Sequence, residues 1–246
     1  MHRFFVSPDC IDGQDVRLPD NVARQLSRVL RLKPGDRIIA LDDSGWEYVV
    51  TLTAVDSNAA WGVVTDKQVS TGEPDVRLVL YQGMLKSDRF EFVLQKGTEL
   101  GVSAFVPVSC ARSVAKGDSA SRSVRWRKII TEAAEQSGRG RIPILKKPSE
   151  FFDACDAYGG LAIIPWEEEG GTGLRSVLKR WKADDLGISS VSIFIGPEGG
   201  FTREEVEYAR SKGIVAVSLG KRILRAETAG IATAAAVLYE LGELGA

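Results

Sequence analysis

The stretch from Ser192 to Leu241, SIFIGPEGGFTREEVEYARSKGIVAVSLGKRILRAETAGIATAAAVLYEL, constrains the fold more than any other. Two short apolar runs, Val191 to Ile195 and Ile214 to Leu219, each end in a glycine-bearing loop, GPEGG and GKRILRAET. Each loop then opens a helix. Thr202 with Glu205 has the spacing of a capping box, which satisfies two orphan N–H donors at a helix start. The last helix, Thr228 to Leu241, is Ala-rich and nearly free of charge. At about 14 residues it is too short to span a bilayer and reads as a buried core helix.

Strand, loop, helix, strand, loop, helix is the pattern of an open α/β sheet. Ligands bind such sheets in the crevice outside the carboxyl ends of the strands. Both loops leave carboxyl ends, so they are expected to share one sheet edge and one pocket. Their glycines free the backbone and let a ligand approach closely. GPEGG is not GxGxxG, and GxxxxGK[ST] is absent, so the common dinucleotide and P-loop fingerprints are missing. Glu198, in the middle of the first loop, disfavours a di- or triphosphate and suits a cationic or neutral ligand. A tight turn with a helix cap is the plainer alternative for GPEGG alone.

The 246 residues are 44% hydrophobic and 26% charged, enough for a sizeable core in one or two domains. A net charge of −1 excludes a polycation as a whole. Cys10, Cys110 and Cys155 are far apart and form no CxxC pair, which speaks for a reduced compartment and against zinc. The single histidine is His2, so neither a histidine triad nor a histidine metal cluster is expected. With no apolar run of membrane length and no signal peptide, the expected location is the cytoplasm, with no membrane partner and no metal.

Residues 1–71 read as a small β-rich domain. Arg3 to Val6 is a candidate edge strand, and Asp20 a candidate cap for a helix burying Val22, Leu26, Val29 and Leu30. Lys33-Pro34-Gly35-Asp36 is a turn signal, and Arg37 to Leu41, Glu47 to Ala54 and Ala60 to Val64 read as strands. Short strands with tight turns suggest a barrel. Arg24, Arg28, Arg31, Lys33 and Arg37 make its helix and following turn basic, either a solvated face or a nucleic-acid platform.

Ser70 to Pro74 is the best linker candidate, and residues 72–246 form the second domain. Val76 to Tyr81, Ala104 to Val108 and Leu161 to Ile164 precede the two strands already described, completing five β/α units and a mostly parallel sheet. Asp88 is expected to cap the helix that Gly101 ends, and Thr172 the helix ending near Trp181. A helix over Val124 to Gln136 turns Trp126, Ile129, Ile130, Ala133 and Ala134 inward.

Between Ala111 and Lys147 the bases Arg112, Lys116, Arg122, Arg125, Arg127, Lys128, Arg139, Arg141, Lys146 and Lys147 far outnumber Asp118, Glu132 and Glu135. Such a patch in a neutral protein fits phosphate contact. A charged surface helix is the alternative. The flexible run Gln136 to Arg141 favours an irregular polyanion.

QKGTELGV (Gln95 to Val102), EAAEQSGR (Glu132 to Arg139), GPEGGFTREE (Gly196 to Glu205) and LGKRILRAETA (Leu219 to Ala229) occur in this order, after RFFV and VLRLKPGD. Together they resemble the bacterial 16S ribosomal RNA uracil N3-methyltransferase family, of the SPOUT superfamily of knotted methyltransferases, over nearly the whole chain. The resemblance implies a PUA-like β-barrel domain that helps hold RNA, then a SPOUT domain with a C-terminal trefoil knot. It implies S-adenosyl-L-methionine as cofactor, 16S ribosomal RNA or the small ribosomal subunit as partner, and a homodimer. The cofactor positions map to Ile164, Pro165, Trp166, Gly196, Pro197, Gly199, Gly200, Leu219, Gly220, Ile223, Leu224 and Thr228. Arg225 is expected to stabilise the uracil anion, with Glu198 and Glu227 as candidate proton acceptors. Arg3, Arg24, Arg28, Arg31, Lys86, Arg112, Gln136, Arg139 and Arg141 are the RNA-contact candidates. Family members often carry histidines before VLRL, where this chain has Arg24-Gln25.

Two other functions fit parts of the sequence. One is a non-catalytic RNA-binding ribosome-assembly factor, for which the basic patch and barrel speak. The other is an α/β enzyme acting on a nucleotide phosphate, against which the missing P-loop counts.

Overall fold

The computed structural model describes residues 1–114, 120–183 and 187–245; Lys116 and Asp118 of the basic segment lie outside the described residues. The backbone forms two compact units, Met1–Glu73 with Thr131–Ile142, and Pro74–Ile130 with Pro143–Ala246. The return of Thr131–Ile142 to the first unit is not foreshadowed in the sequence. Its anchors there, Asp43 and Glu73, are remote along the chain: Ile142 N–H donates to Asp43 Oδ1 at 2.6 Å, and Arg141 N–H to Glu73 Oε1 at 3.1 Å.

In the first unit, β1 (His2–Phe5), β2 (Ile11–Asp12), β3 (Asp15–Leu18), β4 (Arg37–Leu41), β5 (Trp46–Val55) and β6 (Ala60–Val69) make one barrel-like sheet. Its order is β1-β4-β5-β6-β3-β2, with β1 on the edge as expected. Every pairing is antiparallel except β1 with β4. Irregularities after Val49 and Leu52 bend the long β5 strand, as bulges do. Phe4, Leu18, Leu26, Ile38, Val50 and Leu52 fill the interior.

The helix of this unit differs from expectation. Pro19 holds the cap position, and Asp20 opens α1 (Asp20–Arg24) without a side-chain cap bond. The chain continues as a π-helix, Gln25–Leu30, closed by Arg31 in the left-handed region at φ 56°. The wider turn shifts the side-chain register. Val22 and Leu26 are buried, but Val29 points outward at 71% exposure.

The second unit holds a sheet of β7 (Arg77–Gly83), β8 (Ala104–Ser109), β9 (Ile144–Leu145), β10 (Ser149–Glu150), β11 (Leu161–Pro165), β12 (Ser190–Ile195) and β13 (Val215–Val217). The order is β10-β8-β7-β12-β11-β13, with β9 also on β8, and every pairing is parallel. β12 thus enters between β7 and β11. The five expected strands are all present. Leu78, Leu80, Val191 and Ile193 are fully buried, which is why the strands read as unbroken apolar runs rather than alternating ones.

The helices are α2 (Ser87–Leu100), α3 (Ala120–Ser137), α4 (Phe151–Ala157), α5 (Leu174–Ala183), α6 (Arg203–Ser211) and α7 (Ala226–Leu241). Lys86, not Asp88, sits at the α2 cap, and Gly101 ends that helix at φ 111°. α5 starts at Leu174, one residue too late for Thr172 to cap it. The Thr202–Glu205 capping box is present, with Thr202 N–H to Glu205 Oε2 at 2.8 Å and Glu205 N–H to Thr202 Oγ1 at 3.2 Å. α7 packs on α2, β7 and β12. It buries Gly230, Thr233, Ala234, Val237 and Leu238 but leaves Tyr239 69% exposed, so it is a core helix on one face only. Among the described residues, no helix is long and apolar enough to cross a membrane, and no group of three metal-ligating side chains occurs.

Candidate cofactor site at the carboxyl edge of the sheet

β12, β11 and β13 lie side by side and parallel, so the loops after Ile195, Pro165 and Val217 leave one edge of the sheet. They enclose two adjoining cavities of about 410 and 450 Å³. The first lies between the Trp166 loop and the segment from Ser218 to Leu224. The second lies between GPEGG and the segment from Ile223 to Ala226, with Arg89 reaching in from α2. Pro165, Glu167, Ile223, Leu224 and Ala229 line both.

Most cofactor candidates gather here. Pro165, Trp166, Leu219, Gly220, Ile223 and Leu224 line the first cavity. Gly196, Pro197, Gly199 and Gly200 line the second, together with Glu198 and Arg225. Two do not reach either. Ile164 is fully buried in the sheet beneath, and Thr228 faces a separate apolar hollow along α5 and α7. Ile223 is 90% exposed, an apolar side chain held open at the rim.

GPEGG is fastened from several directions. A Cβ on Gly83, at the end of β7, would stand 2.5 Å from Pro197 N, so only glycine lets the loop cross there. Gln82 Nε2 donates to Gly196 O at 3.5 Å from a fully buried position. Arg112 Nη1 donates to Gly199 O at 3.0 Å and Phe201 O at 3.2 Å. Ala111 N–H donates to Glu205 Oε1 at 2.8 Å, so one buried carboxylate both caps α6 and holds the β8 loop. A Cβ on Gly199 would stand 2.9 Å from Arg112 Cβ, so that glycine makes room for arginine packing.

The Trp166 loop is fastened from α6. Glu169 accepts from the N–H groups of Gly171 at 2.9 Å and Thr172 at 3.0 Å, and pairs with Arg210. These two backbone donors, helped by Arg210, hold its carboxyl below the usual carboxylate range. The Arg210 guanidinium also lies over the Trp166 ring, 5.6 Å from its centroid.

Arg89 stands between two carboxylates, with Nη1 3.6 Å from Glu198 Oε1 and Nε 3.8 Å from Glu227 Oε1. Glu227 lies behind the cavity wall, and its Oε2 is buried with no hydrogen-bond partner among the described residues. Glu198 Oε1 also accepts Lys86 N–H at 3.2 Å. No sequence motif marks Arg89 or Glu167. Their one signal is position: each follows the carboxyl end of a strand in the cavity-forming part of the sheet.

The RNA-contact candidates scatter. Arg24 at the end of α1, Arg28 on the π-helical turn and Arg31 just after it are exposed, as are Gln136 and Arg141, all in the first unit. Arg139 is corrected. It is 2% exposed and donates to Glu73 through Nη2 at 2.7 Å and Nε at 3.2 Å, so its charge is spent inside the unit. Arg3 Nη2 donates to both oxygens of buried Glu47 at 3.0 and 3.2 Å. In the second unit Lys86 is exposed, while Arg112 is engaged with GPEGG as described.

Fold and site define the class: an α/β domain with adjoining cavities at its strand ends, preceded in the chain by a barrel-like domain. Residues 72–238 match the family model described as an RNA methyltransferase domain, and residues 19–65 match an RNA methyltransferase PUA domain. This chain belongs to that RNA methyltransferase family, and its two-part architecture is the SPOUT-type fold with an N-terminal PUA-like domain. It is 34% identical to the ribosomal RNA small subunit methyltransferase E of Bacillus subtilis, over 86% of this chain and 85% of that one. With the Synechocystis protein of the same name it shares 33% identity, over 93% of this chain and 74% of the other. Among solved structures, ribosomal RNA small subunit methyltransferase E from Neisseria gonorrhoeae bound to S-adenosyl methionine superposes with a TM-score of 0.86. Identity there is 33%, over 97% of both chains.

Proposed function

We propose that this chain methylates N3 of a uridine in 16S ribosomal RNA, with S-adenosyl-L-methionine as donor. The observation that carries the reading is the paired cavity at three strand ends, in a chain 33% identical to a relative solved with that donor. The lining fits. Glu167, Glu169 and Glu198 suit a sulfonium and an ammonium, and the Gly-rich turn is too acidic for a phosphate chain. Pro165, Trp166, Leu219, Gly220, Leu224 and GPEGG would hold the donor, which supplies an electrophilic methyl group and departs as a neutral thioether.

The chain's own task is at the base. N3 carries a proton, and its loss puts negative charge on N3 and the two flanking carbonyl oxygens. Arg225, at the start of α7 and on the wall of the second cavity, offers a planar fork of donors to such an oxygen. Arg24, Arg28, Arg31, Lys86 and Arg141, all exposed, grip the RNA backbone. The site acts in the cytoplasm, where the ribosomal substrate is.

Two further features belong to this reading. An apolar hollow of about 800 Å³ lined by Leu174, Leu178, Leu219, Ala232, Ala236 and Tyr239 supports a homodimer built on α5 and α7. The insertion of β12 between β7 and β11, with α7 returning across the sheet from the edge strand β13, supports the trefoil knot. The test is mass mapping of methylated nucleosides in 16S RNA from a strain lacking the gene. One N3-methyluridine should disappear and return with the wild-type copy. An unchanged methylation map would overturn the assignment.

A further inference from the structure

The second cavity contains a charged group that no motif and no comparison assigns. Arg89 enters it from the first turn of α2, and Arg225 lines the same cavity. Its distances to Glu198 and Glu227, 3.6 and 3.8 Å, are ion-pair distances but longer than hydrogen bonds. Among the described residues, no side-chain hydrogen bond from this guanidinium reaches protein. The two carboxylates therefore aim the guanidinium without saturating its donors. Its side chain is 35% exposed, open to the cavity rather than sealed.

The local charge decides what kind of group fits. Arg89 and Arg225 stand against Glu167, Glu198 and Glu227, which leaves the cluster net negative. A further carboxylate, such as that of a methionine moiety, is repelled there. A group that arrives neutral and becomes anionic by giving its proton to one of those carboxylates adds no net charge. A uracil N3–H is such a group.

We propose that Arg89 is a catalytic residue that donates to a carbonyl oxygen of the target uracil as the N3 proton leaves. This rests on the methylation reading above. The N3–H bond breaks, and the proton passes to a carboxylate oxygen of Glu198, which lines the cavity. The freed N3 pair forms the bond to the incoming methyl carbon, whose bond to sulfur breaks with its electrons going to sulfur. Glu227, 13% exposed behind Arg89, holds the guanidinium in place. Negative charge moves from Glu198 to the uracil while Arg89 faces both, so the cation need not reorganise.

Single-turnover methylation of 16S RNA by the full chain, at saturating RNA and donor, tests this with Arg89→Ala and Arg89→Lys across pH. Loss of one such donor lowers the rate about 10²–10³-fold. Arg89→Ala should show that loss, with the rising limb of its pH–rate profile displaced to higher pH because the uracil anion has lost its cation. Arg89→Lys should recover part of the rate and of the displacement. Calorimetric affinity for S-adenosylhomocysteine should match wild type in both. A full rate at saturation for Arg89→Ala overturns the proposal. So does a rate loss with an undisplaced profile, and so does a tenfold loss of S-adenosylhomocysteine affinity, which would place Arg89 on the donor. Wild-type methylation alongside an indifferent Arg89→Ala refutes only this inference; a wild type that never methylates refutes the reading beneath it.

Discussion

The Arg139–Glu73 pair gives a quantitative test of what the basic segment does. Arg139 is 2% exposed and doubly bonded to Glu73, whose Oε1 also accepts Gly140 N–H and Arg141 N–H at 3.1 Å each. Glu73→Ala takes this carboxylate from a buried cation and releases two backbone donors at once. Removing one partner of a buried pair costs about 3–5 kcal/mol, because the other charge stays behind. Arg139→Ala is milder, since the Glu73 side chain is 23% exposed and keeps both backbone donors. Water can then replace part of what is lost, so we expect about 2–3 kcal/mol. The glutamate variant should therefore be the less stable by at least about 1 kcal/mol. Urea unfolding followed by tryptophan fluorescence reads this, with Trp46 and Trp61 reporting from the first unit. RNA binding is measured in parallel on folded protein. If both variants stay within about 1 kcal/mol of wild type while Arg139→Ala weakens RNA binding and its salt dependence, Arg139 is a phosphate contact and the burial argument is wrong.

Gly83→Ala should lower S-adenosylhomocysteine affinity at least about tenfold, because the new Cβ meets loop backbone at 2.5 Å and the loop must move. Calorimetry with undiminished affinity would remove GPEGG from the site. Gly199→Val should act through displaced Arg112 packing, so Arg112→Ala in the same protein should restore part of the lost affinity. Glu135 is pushed above the usual carboxylate range by burial, with Glu132 adding repulsion, although it accepts Phe5 N–H at 2.8 Å. A raised folded pKa means stability is greatest in acid and declines as pH rises through the carboxylate range. Glu135→Gln should thus gain on wild type in urea melts near neutral pH, and the gap should close below pH 4.5. A constant gap across that range would refute the linkage.

Periodicity and local chemistry revealed more of this molecule than of its site. The five strands, the capping box at Thr202 and the end of α2 at Gly101 all follow from residues within a few positions of one another. Sheet order does not, because which strand β12 enters beside is a choice among distant partners. The π-helical turn escaped because a one-residue widening leaves no compositional trace, and Val29 consequently faces the wrong way. Arg139 looked like a loop cation, since its partner lies at Glu73. Arg89 belongs to no motif. Its meaning comes from Glu198 and Glu227, which only the folded chain brings alongside. The two glycine loops read as sharing one sheet edge, and they do; Gly199 lines the second cavity and also makes room for Arg112, a contact that spacing does not reveal.

The central pairing of the parallel sheet has a consequence during synthesis. Arg77 on β7 is in register with Ser190 on β12, and among the described residues β7 pairs only with β8 and β12. A ribosome adding about 5–20 residues per second needs roughly 6–23 s to deliver the second strand after the first. Through that interval Leu78, Val79 and Leu80 lie along an unpaired edge of a nascent chain, an open template for pairing with neighbouring chains. Slowing translation between β11 and β12 lengthens the exposure. A chaperone that shields extended apolar segments should raise the soluble yield more than any change to the finished surface.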